Sequence, residues 1–265
     1  MADESATGIH ARTCHLCEAN CGVLVEVEGR RIVSIKGNPD HVLSRGHICP
    51  KATALADLQD DPDRLRRPVK RTADGWQEID WNTAFAEIGA RMAAVMAGDG
   101  QPALYMGNPN AHNYATGTQT GVLRKAMGLR TLYSASTLDQ IPHQLIQMWM
   151  YGHNALFPIP DVDRTRFMLI IGGNPLASNG SVWTVPDVKK RLKAVQKRGG
   201  QVVVIDPRRT ETAKIADAHH FIRPGTDTAL LLALLKALDE SGLVQPGRLE
   251  PMLDEGWSAA WEAIR

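Results

Sequence analysis

Cys14-His15-Leu16-Cys17-Glu18-Ala19-Asn20-Cys21, answered at a distance by Cys49-Pro50-Lys51, holds every cysteine of the 265-residue chain. The spacing is C-x2-C-x3-C, followed by 27 residues and a lone fourth thiol. A tight trio with one distant thiolate suits a cubane [4Fe–4S] cluster, in which each iron needs one terminal sulfur. Structural zinc also takes four thiolates, but usually from two C-x2-C pairs rather than from three crowded ligands and a distant one. His15 lies inside the trio and competes as a ligand on chemistry alone. Disulfides are disfavoured by the uneven spacing and by an N-terminal stretch without a leader signature. The spacing therefore favours the cluster, with zinc as its rival.

Composition narrows the setting. Lys and Arg total 30 against 29 Asp and Glu, a net charge of +1 that points to neither nucleic acid nor an anionic membrane as partner. Residues Met1 to His10 show no basic region, apolar core or twin arginine, so the expectation is a cytoplasmic protein whose thiols stay reduced. The most apolar run, Ala229 to Leu235, is too short to span a bilayer.

Outward from the cysteines, Val23 to Ile35 reads as two strands turned at Glu28-Gly29, a hairpin that brings the fourth thiol back to the trio. The charged, proline-punctuated stretch Asp60 to Pro68 marks a boundary. Apolar residues Phe85, Ile88, Met92 and Val95 recur at helical spacing over 83–96, and Ala103 to Met106 reads as a short buried strand ending at Gly107-Asn108-Pro109. Residues 110–123 begin as a loop and enter a helix. Arg166 to Ile171, the basic helix Val185 to Arg198, and Gln201 to Ile205 then form a strand–helix–strand unit with parallel strands. His219 to Arg223 adds a third strand, followed by a helix over 226–240. The expected class is α/β: a small β-rich [4Fe–4S] domain over 1–66, a first α/β segment over 67–150, and a Rossmann-like segment over 151–265.

In an open parallel sheet, ligands bind in the crevice beyond the carboxyl ends of the strands. Three loops lie there. Gly172-Gly173-Asn174-Pro175, running on to Gly180, lets backbone approach closely and offers amides to phosphate oxygens. Asp206-Pro207-Arg208-Arg209-Thr210 combines a carboxylate for ribose or a base edge with arginines for phosphate. Arg223-Pro224-Gly225-Thr226-Asp227 opens a helix whose N-terminus favours anions. Each loop alone is as readily a simple turn; together they outline a nucleotide-sized pocket. Neither G-x-G-x-x-G nor G-x-x-x-x-G-K-[ST] is present, so ordinary dinucleotide and triphosphate sites are not indicated.

Taken in order, the four cysteines with Cys49-Pro50-Lys51, Gly172 to Pro175, Ile205 to Ala213 and Arg223 to Asp227 resemble the molybdopterin oxidoreductases of the dimethyl sulfoxide reductase superfamily. The branch resembled carries an N-terminal [4Fe–4S] domain, as in formate dehydrogenases and nitrate reductases. The resemblance runs from about Thr13 to the end of the chain. It implies a cluster on Cys14, Cys17, Cys21 and Cys49, with Lys51 between cluster and pterin helping electrons pass. It also implies a bis-molybdopterin guanine dinucleotide cofactor with molybdenum or tungsten. The dinucleotide tail would meet Gly173, Asn174, Pro175, Asp206, Pro207, Arg208, Gly225, Thr226 and Asp227. Ala52 stands where the family often has glycine.

The protein ligand to that metal, a Cys, selenocysteine, Ser or Asp in the family, maps to Ser134 through His143, where no cysteine occurs. Asp139 can bind a hard metal through oxygen, with Ser134, Ser136 or Thr137 as alternatives, and His143 can relay protons. A loop or helix-cap role for Asp139 is an equal alternative. The family's chains are much longer, so the sequence reads as an N-terminal portion: a truncated product, a fragment, or one of two split chains, with a separate C-terminal chain as a potential partner. The implied partners are a small-molecule substrate and a redox protein or subunit. A non-catalytic electron-transfer or scaffold module is the rival reading.

Overall fold

The computed structural model describes residues 7–98, 100–107, 110, 112–179, 183 and 185–264, together with their side chains except those of Thr137 and Ile264. Asn108, Pro109 and Gly180 of the sequence reading lie outside them. The chain divides into two compact units, Met1–Asp161 with Pro175–Arg191, and Val162–Asn174 with Leu192–Arg265. It is a mixed α/β structure.

In the first unit, β1 (Gly8–Thr13), β2 (Gly22–Glu28) and β3 (Arg31–Gly37) form an antiparallel sheet in that order. Gly29 turns the hairpin at φ +57°, a left-handed conformation that L side chains resist, and a bulge at Glu26/Val27 shifts the register. The cysteine trio is the connection between β1 and β2. The chain then passes through a loop to the short helices α1 (Pro50–Thr53) and α2 (Leu55–Asp60), both packed against β3. Cys14, Ala19, Cys21, Val23, Cys49 and Ala52 make one buried core, with Cys17, Val25 and Ile35 packed at its edge.

A small hairpin, β4 (Val69–Thr72) with β5 (Gly75–Glu78), leads to α3 (Trp81–Ala97). Asp80 caps α3, accepting from Thr83 N–H at 3.0 Å and from its hydroxyl at 2.6 Å. The expected buried strand at 103–106 is instead half-buried, with Leu104 and Met106 partly covered. Among the described residues β6 (Leu104–Met106) pairs in parallel only with β7 (Leu132–Ser134), and Tyr105 is 69% exposed. Between them runs α4 (Tyr114–Ala126), capped by Asn113. Two further helices follow, α5 (Ser136–Asp139) and α6 (Ile141–Tyr151), the latter stopped by Gly152 at φ +75°.

The second unit is built on β8 (Phe167–Ile171), β9 (Gln201–Ile205) and β10 (Ala218–His220), parallel throughout with β9 in the centre. Val202 and Val204 of β9 are buried, as the middle strand of a covered sheet requires. The crossover from β8 to β9 runs through α7 (Pro175–Ser178) and α8 (Val188–Lys197). On α8, Val188, Leu192 and Val195 recur at i, i+4 and i+7 and are all buried. Arg198 then donates to the carbonyls of Val162 and Thr165, and Asp217 accepts from Val202 N–H at 2.7 Å and from Gln196 Nε2 at 3.0 Å. Beyond β10 come α9 (Asp227–Glu240) and α10 (Glu255–Ile264), which contact each other.

Candidate cluster and nucleotide sites

The four thiols meet because hydrogen bonds close the loops that carry them. Cys14 N–H donates to the Cys21 carbonyl at 2.8 Å, pinching the trio into a loop, and Asn20 turns inside it at φ +44° with its N–H on the Cys17 carbonyl. Cys49 precedes the first turn of α1, and its carbonyl accepts from Ala52 N–H at 3.0 Å. Cys14, Cys21 and Cys49 are buried and Cys17 is half-buried; all four are free thiols.

Their electrostatics report their proximity. Burial pushes the Cys21 thiol up to about 11, and the charges of Cys14, Cys17 and Cys49 add to the rise. Cys14 is also raised, first by burial, while the Lys51 ammonium works in the opposite direction. A cubane takes one terminal thiolate on each of four irons, the number this core and its edge supply. The donor set fits the cluster. Lys51 is exposed on α1, close enough to act on Cys14.

The second unit sets its three predicted loops along one edge, because β8, β9 and β10 are parallel and their carboxyl ends share it. Gly172 leaves β8 at φ +65°, its N–H on the Ile205 carbonyl. Asn174 joins the first loop to the second. Its Oδ1 accepts from Thr212 N–H at 3.2 Å and from the Thr212 hydroxyl at 2.8 Å, and its Nδ2 donates to Glu211 at 2.7 Å. Asp206 is buried and accepts from Arg208 N–H at 2.7 Å. Arg208 stands exposed at the edge, 3.7 Å from the Glu211 carboxylate. Thr226 folds its hydroxyl onto the Arg223 carbonyl at 2.7 Å, so α9 starts without a side-chain cap, and Gly225 turns at φ +82°. Pro207 and Asp227 are exposed on the same loops, Gly173 is half-buried and Pro175 opens α7 buried. A helix start without a side-chain cap, glycines and an exposed guanidinium suit an anionic ligand.

Within the quoted stretch Ile205 to Ala213, Thr210, Glu211 and Thr212 carry structural roles that the sequence left unassigned. Thr210 and Thr212 are buried, and Thr210 accepts from Ala213 N–H at 3.1 Å.

The third set lies at the end of β7 and on α5 and α6. Ser134 and Ser136 share a hydroxyl bond at 2.9 Å, and Ser134 Oγ also accepts from Ser136 N–H. Asp139 ends α5, exposed. His143 sits on the first turn of α6 and lines a cleft of about 280 Å³ with Ile146, Gln147, Met150, Tyr151 and Pro158.

The family model for molybdopterin oxidoreductase matches residues 64–259, and that for the molybdopterin oxidoreductase Fe4S4 domain matches residues 10–61. The probable oxidoreductase YyaE of Bacillus subtilis is 29% identical over 88% of this chain and 34% of its own length. The thiosulfate reductase molybdopterin-containing subunit PhsA of Salmonella typhimurium is 29% identical over 94% of this chain and 33% of its own. The nitrate-inducible formate dehydrogenase major subunit of Escherichia coli is 28% identical over 88% and 24%. The chain thus spans about a quarter to a third of the length of these relatives. In fold it resembles acetylene hydratase from Pelobacter acetylenicus, with a TM-score of 0.77 at 24% identity, covering 96% of this chain and 35% of that one. No helix among the described residues is long and apolar enough to cross a membrane. With one domain model over the thiols and the other over most of the remaining chain, the protein belongs to the molybdopterin oxidoreductase family, whose groups are a [4Fe–4S] cluster and a molybdopterin cofactor.

Proposed function

We propose that the chain supplies the cluster domain and a nucleotide-tail segment of a molybdenum- or tungsten-dependent bis-molybdopterin guanine dinucleotide oxidoreductase. It passes electrons between a small substrate and a redox partner protein through the [4Fe–4S] cluster. The observation that carries this reading is the single buried core of Cys14, Cys21 and Cys49, with Cys17 at its edge and Lys51 acting on Cys14. The metal–pterin group, when bound, supplies the two-electron exchange with substrate. The residues of the chain hold and tune. The cysteines bind the cluster, and the Lys51 ammonium favours the thiolate of Cys14. Arg208, the Gly172–Gly173 backbone, Asp206 and the Gly225–Asp227 helix start receive the dinucleotide tail, and Asn174 and Pro175 shape its loop. Asp139 is the oxygen ligand to the metal and His143, on the first turn of α6, the proton relay. Reduced thiols suit the cytoplasm. The 1–66, 67–150 and 151–265 segments are the working domains in this reading, and a separate C-terminal chain is a candidate partner.

Metal and sulfide content of anaerobically purified protein tests it. Four irons per chain with molybdenum or tungsten is the expected result. Four irons without either favours the second reading, a non-catalytic electron-transfer module, which the lack of any cysteine beyond the four also favours. A colourless protein holding one zinc overturns both.

A further inference from the structure

Residues 38–47 lie between the hairpin and the fourth thiol, and they are fastened to the residue that follows the third. Gly22 N–H donates to Ser44 Oγ at 3.0 Å, and the Gly22 carbonyl accepts from Asn38 N–H at 2.9 Å. Ser44 is 3% exposed. Its own N–H donates to His41 Nδ1 at 3.2 Å, and because a backbone N–H can only donate, that nitrogen carries no proton. The Ser44 hydroxyl, 2.9 Å from the same nitrogen, therefore donates to it while accepting from Gly22. The result is a directed chain from Gly22 N–H through Ser44 O–H to His41 Nδ1. The imidazole packs so closely on Gly22 that any Cβ there would strike the ring, which explains the glycine. Further along, His47 N–H donates to the Ser44 carbonyl at 2.8 Å and Gly46 N–H to the Asn38 carbonyl at 2.9 Å. The fixed geometry is thereby carried to within two residues of Cys49.

We infer that Ser44 is a positioning residue for the cluster. Through Gly22 on one side and the 44–47 turn on the other, it sets the separation of Cys21 from Cys49. It also engages the Gly22 amide, so that this N–H is not available to a cluster sulfur, and hydrogen bonds to sulfur are one of the levers on cluster potential. The inference rests on the four cysteines holding a cluster, as proposed above.

The test compares wild type, Ser44→Ala and Ser44→Thr after anaerobic reconstitution, reading iron release to a ferrous chelator and the cluster midpoint potential. Ser44→Ala is expected to release iron about tenfold faster and to shift the potential upward, while Ser44→Thr, which keeps the hydroxyl, stays within about twofold of wild type, in line with the cost of losing an outer-shell partner. Unchanged release in Ser44→Ala, or a Ser44→Thr chain as labile as Ser44→Ala, overturns the positioning role; an unmoved potential overturns the part played by the amide. If Ser44→Ala fails to fold, His41→Asn and His41→Ala replace it. Asn still offers Ser44 an acceptor and is expected to keep the cluster, whereas Ala loses it, and equal retention by both overturns the inference. A wild-type chain that takes up no iron or sulfide refutes the cluster reading itself, a result distinct from wild type and Ser44→Ala retaining it equally.

Discussion

The Arg191 guanidinium donates to the Leu43 carbonyl at 2.6 Å across 148 residues of sequence. His47 faces Asp187 at 3.9 Å alongside it, and Asp187 itself is held at φ +55°. The segment that follows the Gly172–Pro175 loop is thus moored to the loop that leads to Cys49.

Arg191→Met keeps the aliphatic stem and removes this mooring. Because the bond is charge-assisted but exposed, the expected loss is about 1 kcal/mol of stability. Urea denaturation followed by cluster absorbance and by far-UV circular dichroism checks it; identical midpoints for variant and wild type would show that the contact carries no stability.

A second prediction concerns Asn174, whose side chain is spent on Thr212 and Glu211. Asn174→Ala removes the shared acceptor of two polar groups on a fully buried threonine, and costs about 1–3 kcal/mol. It also frees Glu211, whose carboxyl is held below its ordinary value first by the Asn174 hydrogen bond and further by Arg208 and Lys214. A depressed carboxyl stabilises the fold above its ordinary value, and that contribution is lost as pH falls through the folded value. The variant should therefore show a Glu211 titration nearer the ordinary range by carboxyl-detected NMR, and a weaker loss of stability on acidification.

How much of this was open to sequence reading depends on the range of the interactions. The thiol spacing, the turn at Gly29 and the β8–α8–β9 unit are local patterns of glycine, cysteine and apolar period, and each was legible. β1 escaped because its alternation of Ile9 and Ala11 with His10 and Arg12 is short and leaves Ile9 67% exposed, and its pairing of His10 with Val25 and Arg12 with Val23 is settled only in three dimensions. The β4–β5 hairpin hid in polar, proline-flanked sequence. The apolar stripe of α3 was legible, yet Phe85 and Ile88 remain 65% and 55% exposed, since periodicity shows a face without naming what covers it. Ser44 and Gly22, 22 residues apart, gave no local sign of their bond.

The cluster-free thiols yield a pH prediction. Cys21 is raised from 9.0 to about 11, chiefly by burial. An acid whose folded value is raised stays protonated in the fold while the unfolded chain ionises, so stability is whole below the ordinary thiol value and is lost between pH 9 and about 11. Apo protein should lose melting temperature over that window, and Cys21→Ala should flatten the loss. Cluster assembly needs thiolates and releases protons, so reconstitution should proceed faster at pH 8.5 than at pH 6.5, at roughly the ratio of thiolate populations.

Lys51 separates tuning from ligation. Its ammonium is exposed yet lowers the Cys14 value, against burial and the charges of Cys17 and Cys49. Lys51→Ala removes no ligand, so iron and sulfide content should match wild type. In the apo chain, Cys14 should ionise less readily, and its alkylation at neutral pH should slow. In the loaded protein, electron passage to a dye acceptor should fall by about tenfold, or roughly 1.4 kcal/mol of barrier. Lys51→Arg, which keeps the charge, should restore the alkylation rate, and restoration of one readout without the other would divide its electrostatic role from its role in electron passage. A Lys51→Ala chain that loses its cluster would show instead that the lysine holds α1, and Cys49 with it, in place.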